Sequence, residues 1–547
     1  MKAKDDMVVR LLTALVVVGG ATSAGLAGCT DLAAPCREGN CIGSDASVSS
    51  VAGDVGVGGA GGAMSTASGG AGGAGGAGGA VPESCDPSLA ANAVADACGL
   101  FVSSSLGVDT SQGDGTKSRP YATIARALVA LSPATGNAIY LCGETFDASV
   151  TLPAGVQLYG ALDCKNGWSY KSATKSRIAG TANTVALRIT GANTSSVRDL
   201  IVVAADTASP SASSIAMLVE GATVDLERVE LVAGVAGAGP KGTTPGGTGL
   251  NGTKGVAGKS GCTTSSAVFP DAEPQMMCGD GTSSEGGTGG MGAVSTAGNG
   301  LEGGATPSVG SSNGGTGQPA SNAQCTAGTN GATGTNGLPG DGAGGVGVLD
   351  SDKGYIGLGG ASGKSAGKPG QGGGGGGGAS GKQACQVTTN AGPAGASGGT
   401  GGCGGSIGAG GAPGGSSIAL VSLAATVSLK DSKLTAKNAG AGGAGGDGQP
   451  GGLGLGGGYG SPGFANGSCN GGKGGDGGKG GSGGGGTGGH SLGVAFTGTS
   501  PTLDPVTVLV TPGKAGVGGA GGTGGLDNVG GVGASGLTAA AQSFDPN

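Results

Sequence analysis

The stretch SIAMLVEGATVDL, residues 214–226, holds two short apolar runs separated by a turn, and the whole region 101–233 is built in this way. The runs are rich in Val, Ile and Leu and are bounded by turn residues, which is typical of strands. Several alternate apolar and polar residues, so one face of each predicted strand is buried. The predicted strands are 138–141, 156–159, 186–189, 200–203, 215–219 and 223–226.

No long helical period lies between these strands, although a helical crossover between parallel strands needs a dozen or more residues. Stacking each strand on the previous one needs no helix. The pattern therefore predicts an all-β chain that forms a right-handed parallel β-helix. One capping helix is expected over its N-terminal end, from Pro120 to Leu131, because Ile124, Ala127, Leu128 and Leu131 form one apolar stripe there, and Pro120 suits its first turn.

The predicted coil repeats within the chain. The pattern of 214–233 recurs at 417–436 with a constant offset, and a looser third copy covers 491–496 and 508–510. A glycine-rich run follows each copy: 234–415, 437–490 and 513–534. We interpret this as one β-helix interrupted by excursions that all leave at the same corner.

Two structures are open for the glycine-rich excursions. Glycine makes up 138 of the 547 residues, and runs such as 471–481 have a Gly-Gly-X period. That period matches an extended helix with three residues per turn, so a polyglycine-II-like bundle is one alternative. Flexible disorder is the other, because glycine loses the most conformational entropy on ordering.

The N-terminus has the pattern of an export signal. Basic residues at 2, 4 and 10 precede an apolar run at 11–18. The following Leu26-Ala27-Gly28-Cys29 resembles the lipobox of bacterial lipoproteins. The resemblance implies cleavage before Cys29, lipidation of its thiol, and attachment at the outer membrane or cell surface. The Gly/Ala/Ser-rich residues up to 84 then predict a flexible tether.

Part of the coil region resembles a known group. Phe101–Ser105, Gly113–Thr116 and Pro120–Ile124 look like the entry motif of pectate-lyase-like β-helix proteins of unknown function. Residues 150–160, with Cys164 and Trp168, are similar to glycine-rich surface lipoproteins of myxobacterial type. The resemblance covers about 98–233 and implies a fold more than a function.

These patterns divide the chain into eight parts: a signal peptide 1–28, a tether 29–84, the N-terminal coils with the capping helix 85–233, an insert 234–415, a coil 416–436, an insert 437–490, a coil 491–512 and a glycine-rich tail 513–547.

The cysteines point to an oxidising compartment. The chain has 13 cysteines, and lipidation of Cys29 leaves an even number that can pair. Local loops are predicted for Cys36 with Cys41, Cys85 with Cys98, and Cys262 with Cys278. Cys142 and Cys164 are about one coil apart and can lie on adjacent rungs. The pairing of Cys325, Cys385, Cys403 and Cys469 is left open, and no zinc-type spacing predicts a metal site.

No catalytic set or cofactor motif is predicted. The single histidine, His490, is interpreted as a surface turn residue. Asp225, Glu227 and Glu230, with Arg228, form the densest acidic cluster, but Ser428, Lys430 and Lys433 replace the three acids in the second copy. We interpret the cluster as a solvated strand face. The net charge of −7 gives no footprint for nucleic acid.

Three functions are therefore considered. The first is a non-enzymatic, lipid-anchored cell-surface protein with a structural, adhesive or matrix role, held to the membrane through Cys29 and contacting extracellular polysaccharide or other surface components. The second is a carbohydrate-active β-helix enzyme, a polysaccharide lyase or hydrolase, which rests on fold analogy alone. The third is a glycan-binding module without catalysis, for which Tyr159, Trp168 and Tyr170 are the only close aromatic group.

Overall fold

The computed structural model describes residues 84–545, except 91–92, 133–134, 263–265, 322 and 525–527. The predicted signal peptide, Cys29, Cys36, Cys41 and the tether up to residue 83 lie outside the described residues. The described chain is built mainly of strands, with few helical residues, so the all-β prediction is correct at the level of class.

Most strands belong to three parallel sheets, in which the strands are named in the order of their hydrogen-bonded neighbours. Sheet 1 contains β1 (Gly99–Val102), β2 (Ala138–Cys142), β5 (Gln157–Asp163), β9 (Thr194–Arg198), β12 (Thr223–Glu227), β22 (Thr426–Lys430) and β25 (Thr502–Leu503), and β6 (Ser169–Tyr170) pairs antiparallel with β5. Sheet 2 contains β26 (Leu509–Thr511), β23 (Lys433–Thr435), β13 (Glu230–Val232), β10 (Leu200–Val203), β7 (Ser176–Ala179) and β3 (Thr145–Phe146). Sheet 3 contains β27 (Thr538–Ser543), β24 (Ser491–Thr497), β21 (Ser417–Leu423), β11 (Ser214–Glu220), β8 (Leu187–Thr190) and β4 (Val150–Pro153).

The chain visits these sheets in a fixed rotation. From β8 onwards it passes from sheet 3 to sheet 1 to sheet 2, and each circuit adds one strand to each sheet. Every glycine-rich excursion begins after a strand of sheet 2 (β13, β23 or β26) and ends at a strand of sheet 3 (β21, β24 or β27). The prediction that the excursions leave at one corner is therefore confirmed.

The internal repeat corresponds to register pairing. Ser214 pairs with Ser417 and Thr223 with Thr426, so the repeated sequences are direct neighbours in their sheets. Ser417 in turn pairs with Ser491, and Ser491 with Thr538. The last partner belongs to β27, which lies within the part predicted as a glycine-rich tail. Its sequence TAAAQS lacks the β-branched and aromatic residues that favour strands, apart from its first threonine.

One apolar core lies between the three sheets and continues beneath the helix α1 (Ile124–Ala130). The side chain of Thr123 caps this helix by accepting from the backbone N–H of Arg126. Ile124 and Ala127 are buried, and Leu128 and Leu131 pack against the core from partly exposed positions. The predicted stripe is thus correct, but the helix begins at Ile124, so Pro120 precedes it and does not form its first turn.

The remaining elements are short. The first excursion contains the antiparallel strands β14 (Ala267–Val268), β15 (Gln275–Met277), β16 (Ser283–Glu285), β17 (Gly292–Ala293), β18 (Gly304–Thr306), β19 (Val348–Asp350) and β20 (Gly354–Ile356), and the one-turn helix α2 (Gly381–Ala384). Two 3-10 helices cover Asp96–Cys98 and Cys164–Asn166.

The excursions are ordered, which decides between the two alternatives left open by the sequence. Extended segments lie side by side, and every third backbone N–H donates to a carbonyl of a neighbouring segment, as in Gly474 to Leu455, Gly477 to Gly452 and Gly480 to Gln449. This is the pattern that packed extended helices with three residues per turn produce, because each strand has no hydrogen bonds within itself. The excursions therefore form one hydrogen-bonded bundle, which we call the glycine bundle.

The centre of the glycine bundle is the segment 468–490. It hydrogen-bonds to six surrounding segments: 326–343, 358–379, 392–415, 437–460, 512–524 and 528–537. Such close approach needs residues without side chains at two of every three positions. A Cβ on Gly475, for example, would overlap the carbonyl oxygen of Ala332, and one on Gly485 that of Gly519. The composition is thus a steric requirement of the bundle.

Candidate functional site

The acidic cluster predicted from the sequence is neutralised by cations. Glu227 forms ion pairs with Arg228 and with Arg198, the latter at 3.4 Å. Glu230 pairs with Lys433 at 3.2 Å, on the neighbouring rung. Asp225 accepts a hydrogen bond from Ser428, also one rung away. A pair of free carboxylates that could divide acid and base roles is therefore not formed by these residues.

The deepest part of this cluster is Asp199, which is 3% exposed. The Arg228 guanidinium donates to both of its carboxylate oxygens, at 2.8 and 2.9 Å, and the Tyr170 hydroxyl donates to one at 2.9 Å. The hydrogen bonds to Asp199 raise the pKa of Arg228 above its ordinary value. Burial, followed by the Asp199 hydrogen bond, raises the pKa of Tyr170. The arrangement is a bidentate ion pair that holds neighbouring rungs together.

A column of register partners crosses the outer face of sheet 1 and was not recognised from the sequence. Phe101, Tyr140, Tyr159, Arg198 and Glu227 occupy matching positions in successive strands. Neighbouring rings lie 5.0 Å apart for Phe101–Tyr140 and 5.4 Å for Tyr140–Tyr159. The signal was present in the spacing of the strands, but only the register shows which side chains stack.

The aromatic group considered for glycan binding is largely used in packing. Trp168 is buried, its ring lies edge-on to Phe101 at 4.9 Å, and its indole N–H donates to the carbonyl of Lys117 at 3.0 Å. Tyr159 stacks on Tyr140, and Tyr170 is bonded to Asp199. These rings therefore do not form the exposed platform that a glycan-binding face would need.

Cys142, Glu144 and Cys164 bring three potential metal ligands within 4.8 Å of one another. The two sulfur atoms are joined in a disulfide, so neither is a thiolate that could bind a metal. Although burial acts to raise it, hydrogen bonds from Ser105, Ser104 and Ser103 hold the pKa of Glu144 below its ordinary value. The carboxylate is thus fixed beside the disulfide by three consecutive serines.

A cavity of about 480 Å³ lies between α1 and the connection from β3 to β4. Its walls include Ile124, Leu128, Phe146 and Val150, and its one ionisable lining residue is Asp147. The volume is in the range of small-ligand pockets. A single carboxylate without a base, cation or nucleophile beside it provides shape but no evident chemistry.

His490 does not lie in a surface turn, so that prediction is wrong. The side chain is 2% exposed. Its Nε2 lies 2.7 Å from the carbonyl oxygen of Val346, and its Nδ1 accepts from the backbone N–H of Leu537 at 2.8 Å. Burial lowers the pKa of His490, while the Val346 contact opposes this. The residue is a buried connection between distant segments.

Five disulfides join the described cysteines: Cys85–Cys98, Cys142–Cys164, Cys262–Cys385, Cys278–Cys403 and Cys325–Cys469. The first two match the predicted pairs. The predicted local loop between Cys262 and Cys278 is wrong. Segment 392–415 runs antiparallel to 234–260, with bonds such as Ser397 N–H to Val256 and Thr400 N–H to Thr253, and this brings Cys262 and Cys278 to partners in the later segment. Disulfides of this number indicate an oxidising environment, as for exported proteins.

The exposed aromatic rings lie elsewhere than expected. Phe269, Tyr459 and Phe464 are 68%, 80% and 79% exposed. All three belong to the glycine-rich excursions, in the region of the Cys262–Cys385 disulfide. The N–H of Phe464 donates to the carbonyl of Ala384, beside that disulfide, and Val268 packs on Ala391 and Ala394 in the following turn. We call this end of the glycine bundle the aromatic end.

Comparison with family models, with curated proteins and with solved structures finds no match to this chain. The resemblance to pectate-lyase-like and myxobacterial surface proteins therefore stays a prediction from the sequence of residues 98–233. None of the helices in the described part of the chain has the length and apolar content needed to cross a bilayer.

Proposed function

We propose that this chain is a non-enzymatic, lipid-anchored cell-surface protein with a structural or adhesive role. The observation that carries the proposal is the glycine bundle, in which a central segment is hydrogen-bonded to six neighbours and the ends are pinned by disulfides. Such a body is stiff, uses few reactive side chains and suits an oxidising exterior. It is suited to holding a shape at a surface.

The anchor and the fold are part of the same proposal. The lipobox-like Leu26–Cys29 supports lipidation of Cys29 and attachment at the outer membrane or cell surface, with the Gly/Ala/Ser-rich tether as spacer. The fixed rotation of the chain through three parallel sheets supports a right-handed parallel β-helix as the base of the bundle. The ion-paired acids on sheet 1 do not favour the carbohydrate-active enzyme.

Expression of the full chain in a lipoprotein-processing bacterium tests the anchor. Wild-type protein should incorporate labelled fatty acid, sediment with membranes and be digested by protease added to intact cells. A Cys29→Ser variant should lose the label and the membrane association while keeping the five disulfides that join the described cysteines. A wild-type chain that is released into the medium without label would refute the lipid anchor.

A second candidate function, non-catalytic glycan binding, is favoured by the aromatic end. Exposed rings are costly in water unless they have a partner, and the flat faces of sugars stack on such rings. The amides of Gln324 and Asn466 are hydrogen-bonded to each other near the same end, and Lys259 pairs with Asp271, so this surface is polar and nearly neutral. Co-sedimentation with insoluble neutral polysaccharides tests it. Binding should fall at least tenfold in Tyr459→Ala and Phe464→Ala and stay unchanged in Val129→Ala, an exposed residue of α1.

A further inference from the structure

His490 joins two segments that are far apart in the chain. Val346, whose carbonyl lies against Nε2, is at the base of the hairpin that contains β19 and β20. Leu537, whose N–H donates to Nδ1, directly precedes β27. Since Nδ1 must accept, the proton of the neutral ring is on Nε2, where it donates to Val346. Both ring nitrogens are thus fully used by the neutral form.

The two segments cover the outer face of sheet 3. The ring of His490 meets Tyr355 of the hairpin edge-on at 5.2 Å and Phe544, just after β27, at 5.7 Å. Tyr355 and Phe544 pack in one cluster with apolar residues of β11, β21 and β24: Ile215, Leu218, Ile418, Val421, Leu492 and Ala495. His490 therefore lies where the hairpin, the C-terminal strand and the sheet meet.

Protonation has no favourable partner at this place. A proton on Nδ1 would face the N–H of Leu537, so one donor would have to move away. Within the described residues, no carboxylate lies within 4.0 Å of the ring nitrogens, and burial works against the charge. The titratable group that contacts the ring is Tyr355, whose pKa burial raises to about 12, so it is neutral near pH 7.

The charged groups on the surrounding elements are engaged elsewhere. Asp350 accepts from the N–H groups of Asp352 and Lys353 within the hairpin turn. Asp545 accepts from the N–H of Gly498 and the hydroxyl of Ser543. Strands β21 and β24 contain no charged residue. None of these charges can therefore compensate an imidazolium at position 490.

The hairpin has a second attachment that does not titrate in this range. The guanidinium of Arg188 donates to the carbonyls of Ser351 and Asp352 at the hairpin tip. Arginine stays charged at all relevant pH values. An opening caused by His490 is thus located at the base of the hairpin and at the start of β27, while the tip stays attached.

We propose that His490 is an acid-sensitive latch, whose protonation loosens the base of the hairpin 346–356 and the segment 537–544 and uncovers the apolar outer face of sheet 3. Because His490 is the one histidine of the chain, the response between pH 5 and 8 runs through this residue. The inference is independent of the proposed anchoring role, since it concerns only contacts within the described residues.

Hydrogen exchange of the oxidised protein at pH 7.5, 6.5, 5.5 and 4.5, corrected for intrinsic rates, tests the latch. In the open state the imidazole has an ordinary pKa near 6.5. Opening of 346–356 and 537–544 should therefore rise up to about tenfold per pH unit below that value. Residues 138–142 and 471–489 should show no such change. In His490→Gln, whose amide can still donate to Val346, the pH dependence should vanish.

Protection that is independent of pH in the wild type, or the same pH dependence in His490→Gln, would overturn the proposal. If His490→Gln fails to fold, the wild-type protein still provides a direct readout. Its single imidazole gives one set of histidine NMR signals, which can be followed during an acid titration. A ring that titrates reversibly at or above pH 6.5, with unchanged signals from Tyr355 and Phe544, would also refute the latch.

Discussion

The rings of Tyr140 and Tyr159 lie 5.4 Å apart and within 11° of parallel, because the two residues are register partners in the neighbouring strands β2 and β5. Parallel in-register pairing places like positions directly above one another, so one aromatic residue per rung forms a stack. Tyr140 adds a hydrogen bond from its hydroxyl to the carbonyl of Cys85 at 2.7 Å, which ties the N-terminal segment to sheet 1.

Tyr159→Ala should destabilise the protein by about 2 kcal/mol, because it removes half-buried aromatic area and a stacking partner. The matched control is Tyr459→Ala, since that ring is 80% exposed and its loss should change the free energy of unfolding by less than about 0.5 kcal/mol. Denaturant unfolding of both variants measures this. Equal effects would show that the stack on sheet 1 does not stabilise the fold.

Gly454→Ala and Gly456→Ala should have opposite effects although they are two residues apart. A Cβ at position 454 would overlap the carbonyl oxygen of Gly474, whereas one at position 456 meets no heavy atom within 4 Å. We expect a loss of about 1–3 kcal/mol for Gly454→Ala from overpacking. Gly456→Ala should be neutral or stabilise by about 0.4–1 kcal/mol through the unfolded chain. Thermal unfolding compares them; equal melting temperatures would contradict a close-packed glycine bundle.

Arg228→Met should cost roughly 3 kcal/mol, because it leaves the buried carboxylate of Asp199 without its cation. Arg119→Met is the control, since the Arg119 and Asp114 side chains are 61% and 36% exposed. Such an exposed pair contributes about 0–1 kcal/mol. Urea unfolding at neutral pH measures both losses. A similarly small loss in the two variants would mean that Asp199 finds another partner or water.

Peptide mapping of the oxidised protein without reduction should recover Cys262 linked to Cys385 and Cys278 linked to Cys403. These pairs close loops of 123 and 125 residues. The expectation follows from the antiparallel packing of the segments that carry them. Recovery of a Cys262–Cys278 peptide as the main species would contradict that packing. The Cys142–Cys164 peptide serves as an internal control for complete oxidation.

Asn336→Ala should weaken the glycine bundle by about 1 kcal/mol, because the Asn336 side chain accepts the backbone N–H of Lys479 at 2.9 Å. Asn336→Asp keeps the acceptor and should retain most of the stability. Hydrogen exchange at the Lys479 amide reports the change directly. Unaltered protection of this amide in Asn336→Ala would show that solvent replaces the side chain without loss.

The sequence predicted those parts of the fold that follow from local pattern. Apolar runs correctly located the strands β2, β10, β11 and β12, and the constant offset of the repeat became the register in which Ser214 meets Ser417. Position 490 was misjudged because its preceding neighbours are glycines, and no local signal shows that Tyr355 and Phe544 close over the ring. Cys262 was assigned to a nearby cysteine for the same reason.

By itself the sequence determined the strand class, the corner at which the excursions leave, and the two disulfides within the N-terminal coils, because these depend on residues that are close in the chain or related by an exact repeat. The tertiary structure alone decided that the glycine-rich excursions are ordered. A three-residue period permits both disorder and a bundle, and the choice depends on whether six neighbouring segments supply hydrogen bonds and exclude water around 468–490. The tertiary structure also decided which aromatic rings are exposed, because burial is set by the segments that pack against a ring and not by its neighbours in the sequence.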